Sequence, residues 1–214
     1  MRLLKPELLI KTGEVDHADW NYRPVLGWIE RVRFSLVITL LNEVKCHCLL
    51  EVGYGSGILM PELSRYCDEL SGIDIHDKAV DIQKVLDQNG VKTKLYSGTI
   101  EKSVLPGNYY DYVVAVSALE FVHDISAACQ EICRILKPEG FLIVVTPGRS
   151  KMLDFGLKIL TGESAQHDFE NRRELLLPTL MEYFTLTQSL IVPPIIGHLV
   201  PLYNGLKLSP IKTK

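Results

Sequence analysis

The stretch LLEVGYGSG, residues 49–57, decides how the rest of the chain is interpreted. An apolar run ends at Glu51-Val52, and glycines follow at positions 53, 55 and 57. Such a run stopped by glycines predicts a buried strand and a sharp turn, with a helical pattern starting near Ile58. Glycines let the backbone bend and approach a ligand closely, so this turn is predicted to be a binding loop.

A second motif follows at the spacing of one strand–helix–strand unit, where Gly72-Ile73-Asp74-Ile75 ends another apolar run. An aspartate in this place accepts hydrogen bonds from the ribose hydroxyls of an adenosine. A dinucleotide fingerprint would need a third glycine at Ile58, and the phosphate-binding Gly-Lys-Ser/Thr loop is absent. The carboxylate of Glu51 before the glycines suits a cationic group better than a pyrophosphate.

Apolar runs alternate with helical patterns along the chain. The predicted strands are Cys48–Val52, Leu70–Ile73, Lys92–Tyr96, Tyr112–Val116, Phe141–Val145, Phe184–Val192 and Leu202–Leu208. The predicted helices are Leu26–Val44, Ile58–Cys67, Lys78–Gln88, Ile125–Leu136 and Arg172–Tyr183. This order predicts an α/β fold with a doubly wound, mostly parallel seven-stranded sheet and helices on both faces. The last two strands lack a long helix between them, which predicts an antiparallel C-terminal edge.

Five successive segments, in family order and covering nearly half of the chain, resemble the class I S-adenosylmethionine (SAM)-dependent methyltransferases. Residues 49–57 resemble the first motif of that family, and residues 72–75 resemble the second. The other three matches are the adenine-binding segment Ser97–Glu101, the fourth-strand motif Tyr110–Glu120 and the turn Arg134–Gly140 before the fifth strand. The resemblance implies a Rossmann-like methyltransferase with SAM as cofactor and S-adenosylhomocysteine (SAH) as product.

The resemblance also implies a role for each matching residue. Glu51 and the backbone of Gly53, Tyr54, Gly55 and Gly57 would hold the methionine part of SAM. Asp74 would hold the ribose, and Ile75 would pack on the adenine. Ile100 would offer its backbone N–H to the adenine, and Ser117 would line the methionine end. These residues are therefore the predicted cofactor site.

Two positions depart from the family pattern. Thr99 stands where an aspartate often accepts from the adenine amino group, so this contact would be weaker. Phe121 stands where a histidine is common, so no essential base is expected there. His123, just beyond the fourth strand, is the leading candidate for a general base because its unperturbed pKa is near neutrality. The alternative is a surface residue before a helix cap at Asp124.

Aromatic and hydrogen-bonding residues are concentrated before the first helix, between His17 and Arg23. In this fold family, residues before the first strand commonly cover the cofactor. Tyr22 is therefore included in the predicted cofactor site, where it would close over the SAM carboxylate or the acceptor. For Trp20 and Trp28, anchoring of the head to the sheet is the favoured interpretation.

The length of 214 residues predicts a single methyltransferase domain over residues 1–214. Its parts would be an N-terminal helical cap (1–45), a cofactor-binding core (46–148) and a C-terminal substrate-side region (149–214). With a net charge of −3, no basic face for nucleic acid is expected. No signal peptide is visible, and no apolar run has the roughly 18 residues of a membrane-spanning helix.

Five cysteines without a signal peptide predict a reduced, cytoplasmic protein in which the thiols are core residues and no metal is bound. His167 and His198 in the tail are weaker site candidates. The apolar segment 190–202 carries three prolines and is compatible with an acceptor pocket, a dimer surface, a peripheral membrane contact or buried core.

The predicted function is transfer of a methyl group from SAM to a small, partly apolar acceptor molecule by in-line displacement. Because the sulfonium is already an activated leaving group, the enzyme mainly supplies positioning and exclusion of water. A general base is needed only where the acceptor keeps a proton, as a hydroxyl does. The alternatives are a non-catalytic SAM-fold binding or regulatory protein, a protein or nucleic-acid methyltransferase, and a nicotinamide-dependent oxidoreductase, against which Ile58 argues.

Overall fold

The computed structural model of the chain describes residues 1–13, 16–42, 45–148, 170–193 and 201–211. Over these ranges the strands are β1 (Cys46–Val52), β2 (Cys67–Asp74), β3 (Lys94–Ser97), β4 (Tyr110–Val116), β5 (Leu136–Pro147), β6 (Phe184–Val192) and β7 (Tyr203–Pro210). The α-helices are α1 (Leu26–Leu41), α2 (Met60–Leu63), α3 (Ala79–Gln88), α4 (Ile125–Ile135) and α5 (Glu170–Tyr183).

The strands form a seven-stranded sheet in the order β3-β2-β1-β4-β5-β7-β6. The first five strands of this order pair in parallel. β7 pairs antiparallel with both β5 and β6. The predicted mostly parallel sheet with an antiparallel C-terminal edge is therefore confirmed. The carboxyl ends of β1, β2, β4 and β5 lie at one edge, where ligands of such sheets bind.

Helices cover both faces of the sheet, as predicted. On one face, Phe34 and Leu40 of α1 and Ile82 of α3 are buried with Leu49 of β1 in one apolar layer. The other face has a second apolar layer, which includes residues of α4 and α5. Because successive side chains of a strand alternate between faces, Glu51 points to the same face as Leu49, toward α1.

The helix α1 is fixed to the sheet at its C-terminal end. The Lys207 ammonium of β7 donates to the backbone oxygen of Leu40 at 3.1 Å and to the hydroxyl of Tyr112 at 3.2 Å. The predicted helix to Val44 is wrong at this end, since α1 stops at Leu41 and Asn42 adopts a left-handed conformation with φ 59°. This anchoring sets the position of the polar residues of α1 beside Glu51.

The helix predicted over Ile58–Cys67 is also wrong in extent, because only the four residues of α2 are α-helical there. The chain turns immediately afterwards, and the N–H of Cys46 donates to the oxygen of Tyr66 at 2.8 Å. Cys67 pairs with Cys46 in the sheet, so β2 begins three residues earlier than predicted. Sheet pairing thus replaces the last turn of the expected helix.

The fifth strand begins five residues before the predicted start at Phe141. Tyr110 pairs with Leu136, and Tyr112 pairs with Phe141, with an irregular register between them. The expected turn at Lys137–Gly140 is thereby absorbed into β5 as a bulge, which places extra residues on one strand of a pair. The carboxyl end of β5 lies close to its predicted position.

The tail is described only in part. The candidates His167 and His198, and most of the apolar segment 190–202, lie outside the described residues. In the parts that the structure describes, no helix combines the length and apolar character needed to cross a membrane.

Candidate functional site

The glycine loop after β1 is tightly packed on one side and open on the other. Gly53, Gly55 and Gly57 have φ values of 74°, 51° and 73°, which side chains rarely adopt. A Cβ at Gly53 would lie 2.4 Å from the Cβ of Ala118, in the turn after β4. A Cβ at Gly55 would meet no atom within 4 Å. The loop therefore rests against β4 at Gly53 and faces open space at Gly55.

Asp74 at the end of β2 holds this loop. Its Oδ2 accepts a hydrogen bond from the N–H of Gly55 at 2.8 Å. The His76 Nε2 lies 3.1 Å from the backbone oxygen of Gly55 and 3.8 Å from Asp74 Oδ2. The Tyr54 ring is buried and meets the His76 ring edge-on at 4.9 Å. The structure thus brings Asp74 and the loop together, as the predicted site requires, and adds His76.

Glu51 is a buried carboxylate whose charge is not balanced within the described residues. Its side chain is 4% exposed, and its Oε2 has no hydrogen-bond partner there. Burial raises the pKa of Glu51 to about 8, the negative charge of Asp74 acts in the same direction, and Arg33 opposes it. Since an unsatisfied buried carboxylate is costly, this position suits the ammonium group of an amino-acid ligand.

The raised pKa of Glu51 predicts how stability depends on pH. The unfolded chain loses this proton near pH 4.5, whereas the folded protein keeps it up to about pH 8. The unfolded state therefore binds fewer protons between these values, and the ligand-free protein loses stability as pH rises, by at most about 1.4 kcal/mol per pH unit. We expect Glu51→Gln to flatten this slope in urea unfolding at pH 6 and pH 8. An equally steep slope in the variant would contradict the assignment.

Arg33 of α1 is a site residue that sequence reasoning missed. Its Nη2 lies 2.7 Å from Oε2 of Glu30, and both side chains are largely buried. Its Nε is buried without a hydrogen-bond partner among the described residues. The guanidinium is close enough to Glu51 to lower the pKa of that carboxyl. A cation and a carboxylate therefore stand together at the end of β1, as the two charged groups of an amino acid would need.

Of the residues predicted for the adenine, Thr99 lines a cleft of about 330 Å³ at the carboxyl ends of β2 and β3. Gly98 and Thr99 line this cleft together with apolar side chains such as Ile73 and Val104. Ile75 follows β2 and is 77% exposed, whereas the Ile100 side chain is buried. An exposed isoleucine at this edge is available to pack on a flat ring.

Ser117 lies where β4 ends, in a left-handed conformation with φ 48°. Its N–H donates to the oxygen of Val145 at 2.7 Å, and its hydroxyl is buried without a partner among the described residues. The next residue, Ala118, contacts the glycine loop. The structure therefore brings Ser117 to the predicted methionine end of the site.

Tyr22 is tied to the N-terminal segment. Its hydroxyl donates to the backbone oxygen of Leu4, and the N–H of Leu4 donates to the oxygen of Ile58 at 3.1 Å, just beyond the glycine loop. Partial burial raises the pKa of Tyr22. Arg23 instead pairs with Asp19 at the surface at 3.0 Å. The expected anchoring by Trp28 is wrong, because this side chain is 65% exposed.

The base candidate His123 is exposed, between a short 3₁₀ turn at Leu119–Phe121 and α4. The alternative cap at Asp124 is present, since its carboxylate accepts from the N–H of Ala127 at 2.9 Å. His123 thus lies on the same loop as Ser117, on the rim rather than in the interior. Its role in catalysis stays a prediction.

The five cysteines are free thiols that are buried or half-buried. Burial raises the pKa of Cys46, Cys67 and Cys129 to about 12, so these thiols are poor nucleophiles near neutral pH. Across the described ranges, no group of three or more His, Cys, Asp or Glu side chains is arranged to hold a metal ion. The expected core role of the cysteines agrees with this burial.

A comparison with known sequences finds matches to the central region of the chain. A family model described as a methyltransferase domain matches residues 50–144. Over 151 residues, the chain is 26% identical to the ubiquinone biosynthesis O-methyltransferase of Nitrosomonas europaea, an alignment that covers 68% of this chain and 64% of that protein. The chain thus spans slightly less than two thirds of the length of this curated relative.

Solved structures show the same fold. A SAM-dependent methyltransferase from Aquifex aeolicus superimposes with a TM-score of 0.66 at 15% identity, covering 92% of this chain and 100% of that one. The N-methyltransferase NodS from Bradyrhizobium japonicum WM9, in complex with SAH, gives a TM-score of 0.61 at 15% identity, covering 86% and 87% of the two chains. These likenesses confirm the predicted fold.

Proposed function

We propose that this chain is a class I SAM-dependent methyltransferase that transfers a methyl group from SAM to a hydroxyl oxygen of a small, partly apolar acceptor. The observation that carries the proposal is the open glycine loop bordered by two carboxylates, Glu51 and Asp74. SAM supplies an electrophilic methyl group bound to a positively charged sulfur. Oxygen is the preferred acceptor atom because the curated relative is named an O-methyltransferase.

Each end of the cofactor has matching residues. We assign the ammonium group of SAM to Glu51 and its carboxylate to Arg33, which are close enough to influence each other's charge. The second oxygen of Asp74 would accept from the ribose, while its Oδ2 holds the N–H of Gly55. Ile75, with Thr99 and Ile100, would border the adenine, and Ser117 the methionine end. Tyr22, which is bonded to the N-terminal segment, would lie at the rim of the cofactor site.

The residues around the glycine loop position the cofactor and form no bond to the transferred methyl group. The left-handed glycines fix the loop, and Asp74 orients the N–H of Gly55. Such pre-organisation supplies the positioning on which methyl transfer mainly depends. We further propose that residues 1–214 act as one domain, with residues 1–45 as cap, 46–148 as cofactor-binding core and 149–214 as acceptor side. We also propose a reducing, cytoplasmic location, which the buried free thiols support.

The experiment that tests this function is incubation of the protein with methyl-labelled SAM and a panel of small phenols, carboxylic acids and amines. Label is expected in a methyl ether of a phenol. Label confined to amines would overturn oxygen as the acceptor atom, and label confined to carboxylic acids would overturn a hydroxyl as the acceptor group. SAM bound without transfer to any member of the panel would favour the non-catalytic alternative.

The assignment of Arg33 predicts a ligand-dependent loss of affinity. Removing a charge-assisted contact by Arg33→Gln is expected to weaken SAH binding at least about tenfold. The matched control is Arg23→Gln, because Arg23 pairs with Asp19 at the surface. Both variants should bind 5′-methylthioadenosine, which lacks the amino-acid end, as wild type does. Calorimetric titrations measure the affinities for both ligands. Equal losses of affinity for SAH and methylthioadenosine in Arg33→Gln would contradict the assignment.

A further inference from the structure

Three buried polar side chains meet beyond the carboxyl ends of β4 and β5, and the cofactor assignment uses none of them. Glu120, Thr146 and Tyr203 are only 2%, 6% and 7% exposed. The hydroxyl of Thr146 donates to Oε1 of Glu120 at 2.6 Å. They come from three elements: the turn after β4, the end of β5 and the start of β7. A carboxylate fixed by a hydroxyl in the interior is unusual unless it has a partner or a task.

The position of this cluster is on the β4–β5 side of the glycine loop. The turn that carries Glu120 starts at Ser117, and Ala118 packs directly against Gly53. The adenine cleft lies on the opposite side, at the ends of β2 and β3. Glu120 is therefore two residues away from Ala118, which contacts the loop proposed to hold the methionine end of SAM. An acceptor can bind on this side of the loop, because the adenosine is assigned to the opposite side.

The charges around the cluster restrict the acceptor. Burial raises the pKa of the Tyr203 phenol, and so do the nearby carboxylates of Glu30 and Glu120, while Arg33 opposes them. Tyr203 is thus a neutral hydroxyl. Two carboxylates thus act on Tyr203, whereas the Arg33 guanidinium contacts Glu30 and is assigned to the carboxylate of SAM. An anionic acceptor would be repelled, whereas a neutral group with an O–H donor would be bound by a carboxylate oxygen.

We propose that Glu120, held by Thr146, receives the proton of a neutral phenolic acceptor during methyl transfer. This inference rests on the proposed function. The acceptor oxygen forms a bond to the methyl carbon while the carbon–sulfur bond breaks and leaves its electron pair on sulfur. The acceptor proton passes to the Glu120 carboxylate and is later lost to water. The balance of the step is a methyl ether, neutral SAH and one released proton.

Phenol is the favoured class because of proton affinity and burial. A phenol has a pKa near 10, whereas hydroxyls comparable to water, near 15.7, hold the proton too tightly for a carboxylate. A proton acceptor acts best where water is excluded and the acceptor is fixed. Glu120 is buried at such a place, while His123 is exposed on the rim. The geometry therefore favours Glu120 over His123 for this step.

The test uses 4-nitrocatechol, whose visible absorption distinguishes the neutral phenol from the phenolate. At a pH below the pKa of free 4-nitrocatechol, where it is a neutral phenol, wild type saturated with SAH should bind it and shift it toward the phenolate, and with SAM it should form the methyl ether. Glu120→Gln is expected to lose the spectral shift and to lower kcat by about 10²- to 10⁴-fold. Its affinity for SAH should stay unchanged, which separates loss of the proton acceptor from loss of the cofactor site.

The matched control is Glu182→Gln, which removes an exposed carboxylate of α5 and is expected to retain both the spectral shift and kcat. Thr146→Val keeps the shape and removes the hydrogen bond to Glu120, so kcat should fall about tenfold without a change in SAH affinity. This variant decides the matter if Glu120→Gln fails to fold. The inference is overturned if Glu120→Gln methylates at the wild-type rate, if His123→Asn loses methylation, or if wild type binds SAH but neither binds nor methylates 4-nitrocatechol. Failure of wild type to bind SAH would instead defeat the proposed function itself.

Discussion

Replacing Asp74 by alanine is expected to weaken SAH binding by about a hundredfold or more. The carboxylate is assigned two hydrogen bonds from the ribose, each worth about 1.5–3 kcal/mol when the acceptor is charged. It also holds the N–H of Gly55 at 2.8 Å, so the loop would lose the contact that orients it. Because 1.4 kcal/mol corresponds to a factor of ten, losing two such bonds accounts for the expected effect.

The matched control for this variant is Asp77→Ala. Asp77 lies three residues further on, has an 88% exposed side chain and lies 3.5 Å from the ammonium of the neighbouring Lys78. Both proteins should unfold cooperatively, and calorimetric titration with SAH should separate them. Equal affinities in the two variants would show that Asp74 does not hold the ribose.

The second large effect is expected from alanine at two glycines of the same loop. Gly53→Ala places a methyl group 2.4 Å from the Cβ of Ala118 and forces alanine into φ 74°. The strained backbone costs about 1–2 kcal/mol, and the overlap adds about 1–3 kcal/mol. Gly55→Ala has the backbone cost alone, because no atom lies within 4 Å of the added group.

The two variants should therefore have different main defects, a loss of stability in Gly53→Ala and a loss of SAH affinity in Gly55→Ala. Gly53→Ala is expected to lower the free energy of unfolding by roughly 2–5 kcal/mol, and Ala118→Gly in the same chain should recover the part due to overlap. Gly55→Ala should lose only the backbone part, about 1–2 kcal/mol, yet it should lose SAH affinity, because its methyl group fills the space assigned to the ligand. A Gly55→Ala protein that binds SAH normally would mean that the ligand does not lie against Gly55.

The sequence was sufficient to predict the first half of the site because those signals are local. The glycines after β1 and the aspartate at the end of β2 are read from short segments, and parallel pairing then brings them to one edge. The contact between Asp74 and Gly55 follows from that arrangement. The antiparallel β7 was predictable for the same reason, since no crossover helix separates it from β6.

The other half of the site depends on contacts between distant segments. Arg33 approaches Glu51 because α1 packs on the sheet, where Lys207 of β7 also holds its C-terminal end. Glu120 and Tyr203 approach each other because β7 inserts beside β5. In the sequence these residues are single polar side chains in apolar stretches, which carry no periodic signal of their own. Tertiary pairing likewise shortened the helix predicted over Ile58–Cys67 and absorbed the turn before Phe141 into β5.

Titration of the wild-type protein with SAH and NAD by calorimetry is the most direct test of the central claim, that the loop at residues 53–57 with Glu51 and Asp74 is a SAM site. We expect saturable SAH binding at one site per chain and no binding of NAD. At pH 7, binding should release a proton, because the ligand ammonium displaces the one held by Glu51, whose pKa is about 8. Binding of NAD, or no binding of SAH by folded protein, would contradict the claim.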